Sequence, residues 1–328
     1  MAIVVDTNPS NFRPLSSDEE VDQPVKSGDY FGTTSAKGGQ VWHFNGSVAA
    51  RVGVPNPDHG SMVTLNIAES LRVALERVPM FVDEPFIIHR MSLSPGSYYP
   101  RIARPNDQHP LEAPGYVEGM RTDAHGMISS LSQVRSLVAM LDQIFQTVHP
   151  IEPNLACFGS GIRNLILLAC TECETQWRAV LSANSYKADV LAPRLSTADY
   201  VKLLPAMRLD EYRVTFSHYP WLDGISPFLG WDASQPTKSL AWYDGYNAVK
   251  HDREGAFHQA SLQNAITSVA AVWVMIAAQF GIRGIREFGD LCRYFHLDHV
   301  PRWRYSDVYT IGDYDGHRSL AGPRNFDF

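Results

Sequence analysis

Apolar residues fall into two different rhythms along the chain. From about residue 119 they recur at helical spacing. In "DAHGMISSLSQVRSLVAMLDQIFQTV", Ile128, Leu131, Val134, Val138, Leu141 and Phe145 share one helical face, and His149-Pro150 ends the run. "GSGIRNLILLACTECETQWRAVLSAN" predicts a second helix with Ile166, Cys170, Cys173, Trp177 and Leu181 as its core stripe. A third is expected over roughly 237–250. A fourth is expected over about 255–281, with Leu262, Ile266, Val269, Trp273, Ile276 and Phe280 on its most apolar side. "STADYVKLLP" reads as a short capped helix and "GIREFGDLCRYFHL" as a last one. In "DEYRVTFSHYPW", Tyr212, Val214, Phe216 and His218 alternate with polar neighbours, which predicts a strand or extended crossing.

The first 118 residues are rich in Gly, Pro, Asn and Asp, and their elements are short. "VWHFNGSVAARV" predicts a strand or hairpin. "NIAESLRVALERV" sets Ile67, Leu71, Ala74 and Val78 on one helical face, after a cap at Asn66 or Thr64. "FVDEPFIIHRMSL" reads as a strand region and "SPGSYYPRIARPNDQHPLEAPG" as a proline-studded loop. Four main helices with mostly short joins predict a mainly α fold: a helical bundle over 119–300. A small irregular α+β unit over 1–118 precedes it, and an irregular tail over 301–328 follows.

Composition narrows the setting. The 328 residues are 45% hydrophobic and 19% charged, a globular profile, and the net charge of −7 argues against bulk attraction to nucleic acid or an anionic membrane. A local basic patch is still compatible with it. Four cysteines in a chain this long form no disulfide framework and fit a reducing, cytoplasmic setting. The CxxC of "CTEC" lies inside a helical pattern with no second ligand pair nearby, so it reads as core packing. The start, "MAIVVDTNPSNF", lacks the basic and apolar regions of a signal peptide. Gly255 to Ile282 carries no charge and "AITSVAAVWVMIAAQFGI" approaches membrane-spanning length. Asn264, Thr267, Ser268 and Gln279 and the many alanines point instead to a helix buried on all sides. Phosphate-loop, dinucleotide, zinc-protease and nucleophile-elbow motifs are absent, and His43, His59, His89, His109 and His125 show no ligand spacing. Neither a cofactor nor a metal is expected.

The chemistry concentrates in "WYDGYNAVKHDRE", Trp242 to Glu254. Asn247 and His251 lie four apart and share a helical face, and Lys250, Asp252 and Arg253 cluster around the break that follows. A plain structural reading makes these caps, a surface ion pair and a half-buried histidine. The hexad "YNAVKH" also resembles the nuclease motif of the HEPN family, helical bundles that are often dimeric. Some of its members cut RNA and others bind nucleotides, nucleic acid or protein. The likeness in helix order spans about 120 to 282, and Tyr246 stands where the motif arginine would be.

That resemblance implies His251 as acid or base, with Lys250 or Arg253 supplying the cation for developing phosphate charge. It implies Asn247 and Tyr246 as ligand contacts, with Arg253–His258 as a secondary pair. Glu174 is the polar contribution expected from the neighbouring helix; its structural alternative is an i,i+4 pair with Arg178. With the arginine missing, a nucleotide-, nucleic-acid- or partner-binding module is expected, in a bacterial stress or phage-defence context and as a homodimer. A metal-independent endoribonuclease and a structural interaction protein are the alternatives.

Overall fold

A computed structural model describes residues 26–107 with gaps at 36–37, 55–59, 68 and 84. It also describes 124–190, 194–282, 285, 289–310, 312–314, 317–319 and 322–328. The N-terminal stretch before Lys26, His59, His109 and the loop beyond Asp107 lie outside these residues. The chain divides into two units. One gathers described residues of 1–98, 104–112 and 302–322, the other those of 99–103, 113–301 and 323–328.

The first unit is built on a five-stranded antiparallel sheet of order β4-β3-β2-β1-β5. Its strands are β1 (Tyr30–Ser35), β2 (Gly38–Phe44), β3 (Val48–Arg51), β4 (Met62–Thr64) and β5 (Ile87–Arg90). The pair β2–β3 turns at Asn45-Gly46, where the Asn45 side chain accepts the Ser47 and Val48 N–H groups and Gly46 takes φ +102°. One face buries Phe31, Trp42, Ile88 and Phe81 with helix α1 (Leu71–Glu76), which Ser70 caps through the Val73 N–H. Ile67, expected on that helix, is fully exposed before it. The other face holds Val41, Met91, Tyr305 and Val308. Gly32 and Gly39 are its seats for Tyr305, since a Cβ at either would land on the ring. The two-residue strand β6 (Ser97–Tyr98) follows β5.

The second unit assembles α2 (Ala124–Phe145), α3 (Ser160–Ala183), the short α4 (Thr197–Tyr200) and α5 (Leu203–Met207), α6 (Ala241–His251) and α7 (Leu262–Phe280). An antiparallel pair, β7 (Arg213–Phe216) with β8 (Phe295–His299), completes it. Helix α7 is buried on every side, 16 of its 19 residues being covered by neighbours that include α2, α3 and α6. Its alanines let those helices approach closely. It is the one described helix long and apolar enough to cross a membrane, and 83% of that apolar stretch is buried inside the structure. Trp177 on α3 anchors an aromatic cluster, its ring centroid 5.1 Å from Trp231, 5.2 Å from Tyr200 and 5.3 Å from Tyr243. Cys170 and Cys173 are fully buried on the same helix, and burial pushes both thiols well above their ordinary range.

One polar thread crosses this core. Arg101 Nη1 donates to Gln279 Oε1 at 3.1 Å, and Gln279 Nε2 donates to Gln176 Oε1 and to the Met275 carbonyl, each at 2.9 Å. Gln176 Nε2 in turn donates to Ser130 Oγ at 2.8 Å and to Glu172 Oε1. Every polar atom of the two buried amides is thereby used, which makes amides tolerable inside an apolar helix.

Among the described residues the fold is therefore mixed α+β, with a five-stranded antiparallel sheet in the first unit, and not the mainly α bundle that periodicity predicts. The reason is length. Helices of 19 to 24 residues repeat their stripe several times, whereas strands of three to seven residues interrupted by Gly and Thr offer too few alternations to register. Two smaller corrections have similar causes. Ile128 is 53% exposed because Met127 and Ser130 take the inward positions of α2. Helix α7 starts at Leu262, capped by Ser261, so Arg253 and His258 lie in the connector and not on that helix.

Candidate functional site

Helix α6 buries Trp242, Tyr243, Tyr246 and Val249, a stripe at i, i+1, i+4 and i+7, and turns its last residues outward. It passes close to the start of α7 at Gly245, where a Cβ would sit 2.7 Å from the Asn264 amide. Its C-terminal end is held from α3. Arg163 Nε and Nη2 both donate to the Val249 carbonyl, at 3.4 and 3.3 Å, placing a guanidinium at the negative end of the helix.

Two tyrosines connect α6 to charge. Tyr243 Oη donates to Glu174 Oε1 at 2.8 Å, and burial first, then this carboxylate, push the phenol far above its ordinary range. Glu174 thus faces α6, while Arg178 turns to the Tyr200 hydroxyl at 3.3 Å. Tyr246, 2% exposed, stacks obliquely on Tyr243 with ring centroids 5.4 Å apart. Its hydroxyl accepts from Lys250 Nζ at 2.9 Å, and the ammonium lies 4.9 Å from the Tyr246 ring centroid. The Tyr246 hydroxyl and, after it, the negative charge of Glu174 raise the Lys250 ammonium above its usual range, so it stays charged at neutral pH.

The remaining predicted residues stay apart. Asn247 Nδ2 donates to the Tyr243 carbonyl at 2.9 Å, a bond within its own helix. His251 is exposed at the last position of α6, with no hydrogen bond, ion pair or ring contact among the described residues. Arg253 and His258 are likewise exposed, in the connector to α7. The position of the motif arginine, Tyr246, points into the core, so a guanidinium there would be buried away from any substrate. What the structure brings together is Glu174, Tyr243, Tyr246 and Lys250; what it leaves separate is the imidazole.

No protein-family model, curated protein or solved structure matches the chain. The site rests on its own geometry. An acid–base reaction at phosphorus needs a proton-transfer group and a cation converging on one atom. Here the cation is pinned by a tyrosine and the imidazole stands in solvent, so the arrangement suits holding an anion better than cutting a bond. Tyr243 is the member sequence reasoning missed. A tyrosine on an apolar stripe reads as core, and only its partner 69 residues earlier shows that the hydroxyl has polar work.

Proposed function

We propose that the exposed end of α6 binds a phosphate-bearing ligand, a nucleotide or a short RNA segment, without cleaving it, in line with the binding branch of the HEPN resemblance. The observation that carries this reading is the Lys250 ammonium held on Tyr246. It is an exposed cation whose position is fixed by a buried ring, so little conformational freedom is lost when a phosphate arrives. His251, Arg253 and His258 on the adjoining surface add polar and cationic contacts. The homodimer and the bacterial stress or defence setting remain part of the reading. Four free cysteines, two of them buried, support a reducing cytoplasm.

The test is titration of fluorescent nucleotides and a labelled single-stranded RNA against wild type, Lys250→Met and His251→Ala. Binding that weakens at least tenfold in Lys250→Met, about 1.4 kcal/mol, and falls with added salt supports the proposal. Equal binding by Lys250→Met and wild type overturns it. Metal-independent RNA cleavage by wild type that His251→Ala abolishes would establish the endoribonuclease instead.

A further inference from the structure

A second site lies on the second unit away from these residues. Helices α2 and α3 and the segment 99–103 enclose an open cavity of about 250 Å³, lined by Arg101, His125, Ser129, Gln133, Glu172 and Thr175 among others. At about 30 Å³ per liquid water it holds a small molecule of metabolite size, below the span of drug-sized pockets. Its walls mix polar and apolar surface, and their polar groups are fixed from behind by the amide thread. Gln279 holds the Arg101 guanidinium, and the 97%-buried Gln176 holds the Glu172 carboxylate and Ser130. Polar groups held this way are preorganised for a ligand.

Glu172 is the informative residue. It is half-buried, its hydrogen bond comes from a neutral amide, and among the described residues it has no cationic partner. Burial raises its carboxyl above the ordinary range, as expected of a charge left without a counter-ion. A ligand ammonium would supply that counter-ion. Arg101 on the same wall offers the opposite charge, and a guanidinium matches a carboxylate in shape and hydrogen-bond geometry.

We propose that this cavity binds a small zwitterion of the α-amino acid class, its ammonium on Glu172 and its carboxylate toward Arg101. The site is independent of the α6 end, and neither reading depends on the other.

Calorimetric titration with a panel of L-α-amino acids, beside the matching decarboxylated amines and deaminated acids, tests it. The variants are Glu172→Gln, whose side-chain oxygen still accepts the Gln176 N–H, and Ser129→Trp, a surface substitution that fills the mouth. The expected result is binding of at least one amino acid, more than tenfold weaker for its amine and its acid. Each variant, with unchanged melting temperature, should lose at least tenfold. No binding by any amino acid overturns the proposal. So does undiminished binding by Glu172→Gln, and so does an amine or acid alone binding as tightly as the parent zwitterion.

Discussion

The two units bury polar groups in opposite ways. The helical unit hides amides and hydroxyls, Gln176, Gln279, Ser130 and Ser268, each bonded to a neighbour and none able to gain or lose a proton near neutral pH. The sheet unit hides an imidazole. His89 on β5 is 1% exposed, its Nε2 is 2.9 Å from Thr34 Oγ1 and its ring centroid is 5.5 Å from that of Tyr305. Burial lowers it to about 4. A core polar group thus costs little in one unit at any ordinary pH, and in the other it ties stability to acidity.

The largest effect should come from the helical unit. Trp177→Ala removes the centre of the aromatic cluster and leaves a cavity, and is expected to cost about 3–5 kcal/mol. Urea denaturation read by amide exchange in α3 and α7 measures it. A loss under 1 kcal/mol would mean that the ring is not the keystone of that core. Exchange in β1 and β5 should barely change if the units are energetically separate, and a parallel loss there would erase the comparison.

Next in size is an acid effect confined to the sheet. The folded unit keeps His89 neutral, whereas the unfolded chain takes up a proton below about 6.5. Stability is therefore full above that pH and drains as pH falls toward about 4, by about 3 kcal/mol. His89→Gln should flatten the slope of β1 and β5 protection across this window, while α3 and α7 stay nearly level in wild type. A wild-type sheet that is equally stable at pH 7 and pH 4.5 would refute the buried neutral ring.

The smallest effect sharpens the contrast from the helical side, where the responsive carboxylate lies at the edge of the core. Burial raises Asp199, but hydrogen bonds from Lys187, the Ser196 backbone and side chain and Tyr186 outweigh it and hold the group at about 2. Its contribution is present above about 3.8 and is lost as pH falls toward 2. Asp199→Asn should cost about 1–2 kcal/mol at pH 7 by loosening the capping box of α4, and much less at pH 2. A cost that does not shrink in acid would assign the effect to packing.

How much of this was readable in advance follows from how far each signal reaches along the chain. The α3 stripe of Ile166, Cys170, Cys173, Trp177 and Leu181 is buried as its spacing predicts, because 24 residues repeat the pattern many times. Spacing puts Ile128 on the inward face of α2, but Ser130 turns inward there to reach Gln176, a partner 46 residues later that no local pattern reveals. Strand β1, "YFGTTS", carries two adjacent aromatics, then a glycine and small polar residues, and its alternation appears only beside β2 and β5. At the site, Asn247 and His251 share a face as spacing requires, but spacing says nothing about which groups oppose that face. Tyr243 meets Glu174 through a contact between helices, and Lys250 joins them through Tyr246 within α6. The cavity at Glu172 leaves one trace in the sequence, Gln279 at the end of the apolar stretch that follows Ser268, and this amide links Arg101 to Gln176.

Helix α7 sets the order in which this chain can be made safely. During synthesis α2, α3 and α6 leave the ribosome first, so the stretch least tolerant of water emerges last among the long helices and meets partners already in place. A nascent chain that had emerged through Phe280 would carry a nearly finished bundle. One released before Ser261 would leave an open greasy trough, a natural target for chaperones and proteases.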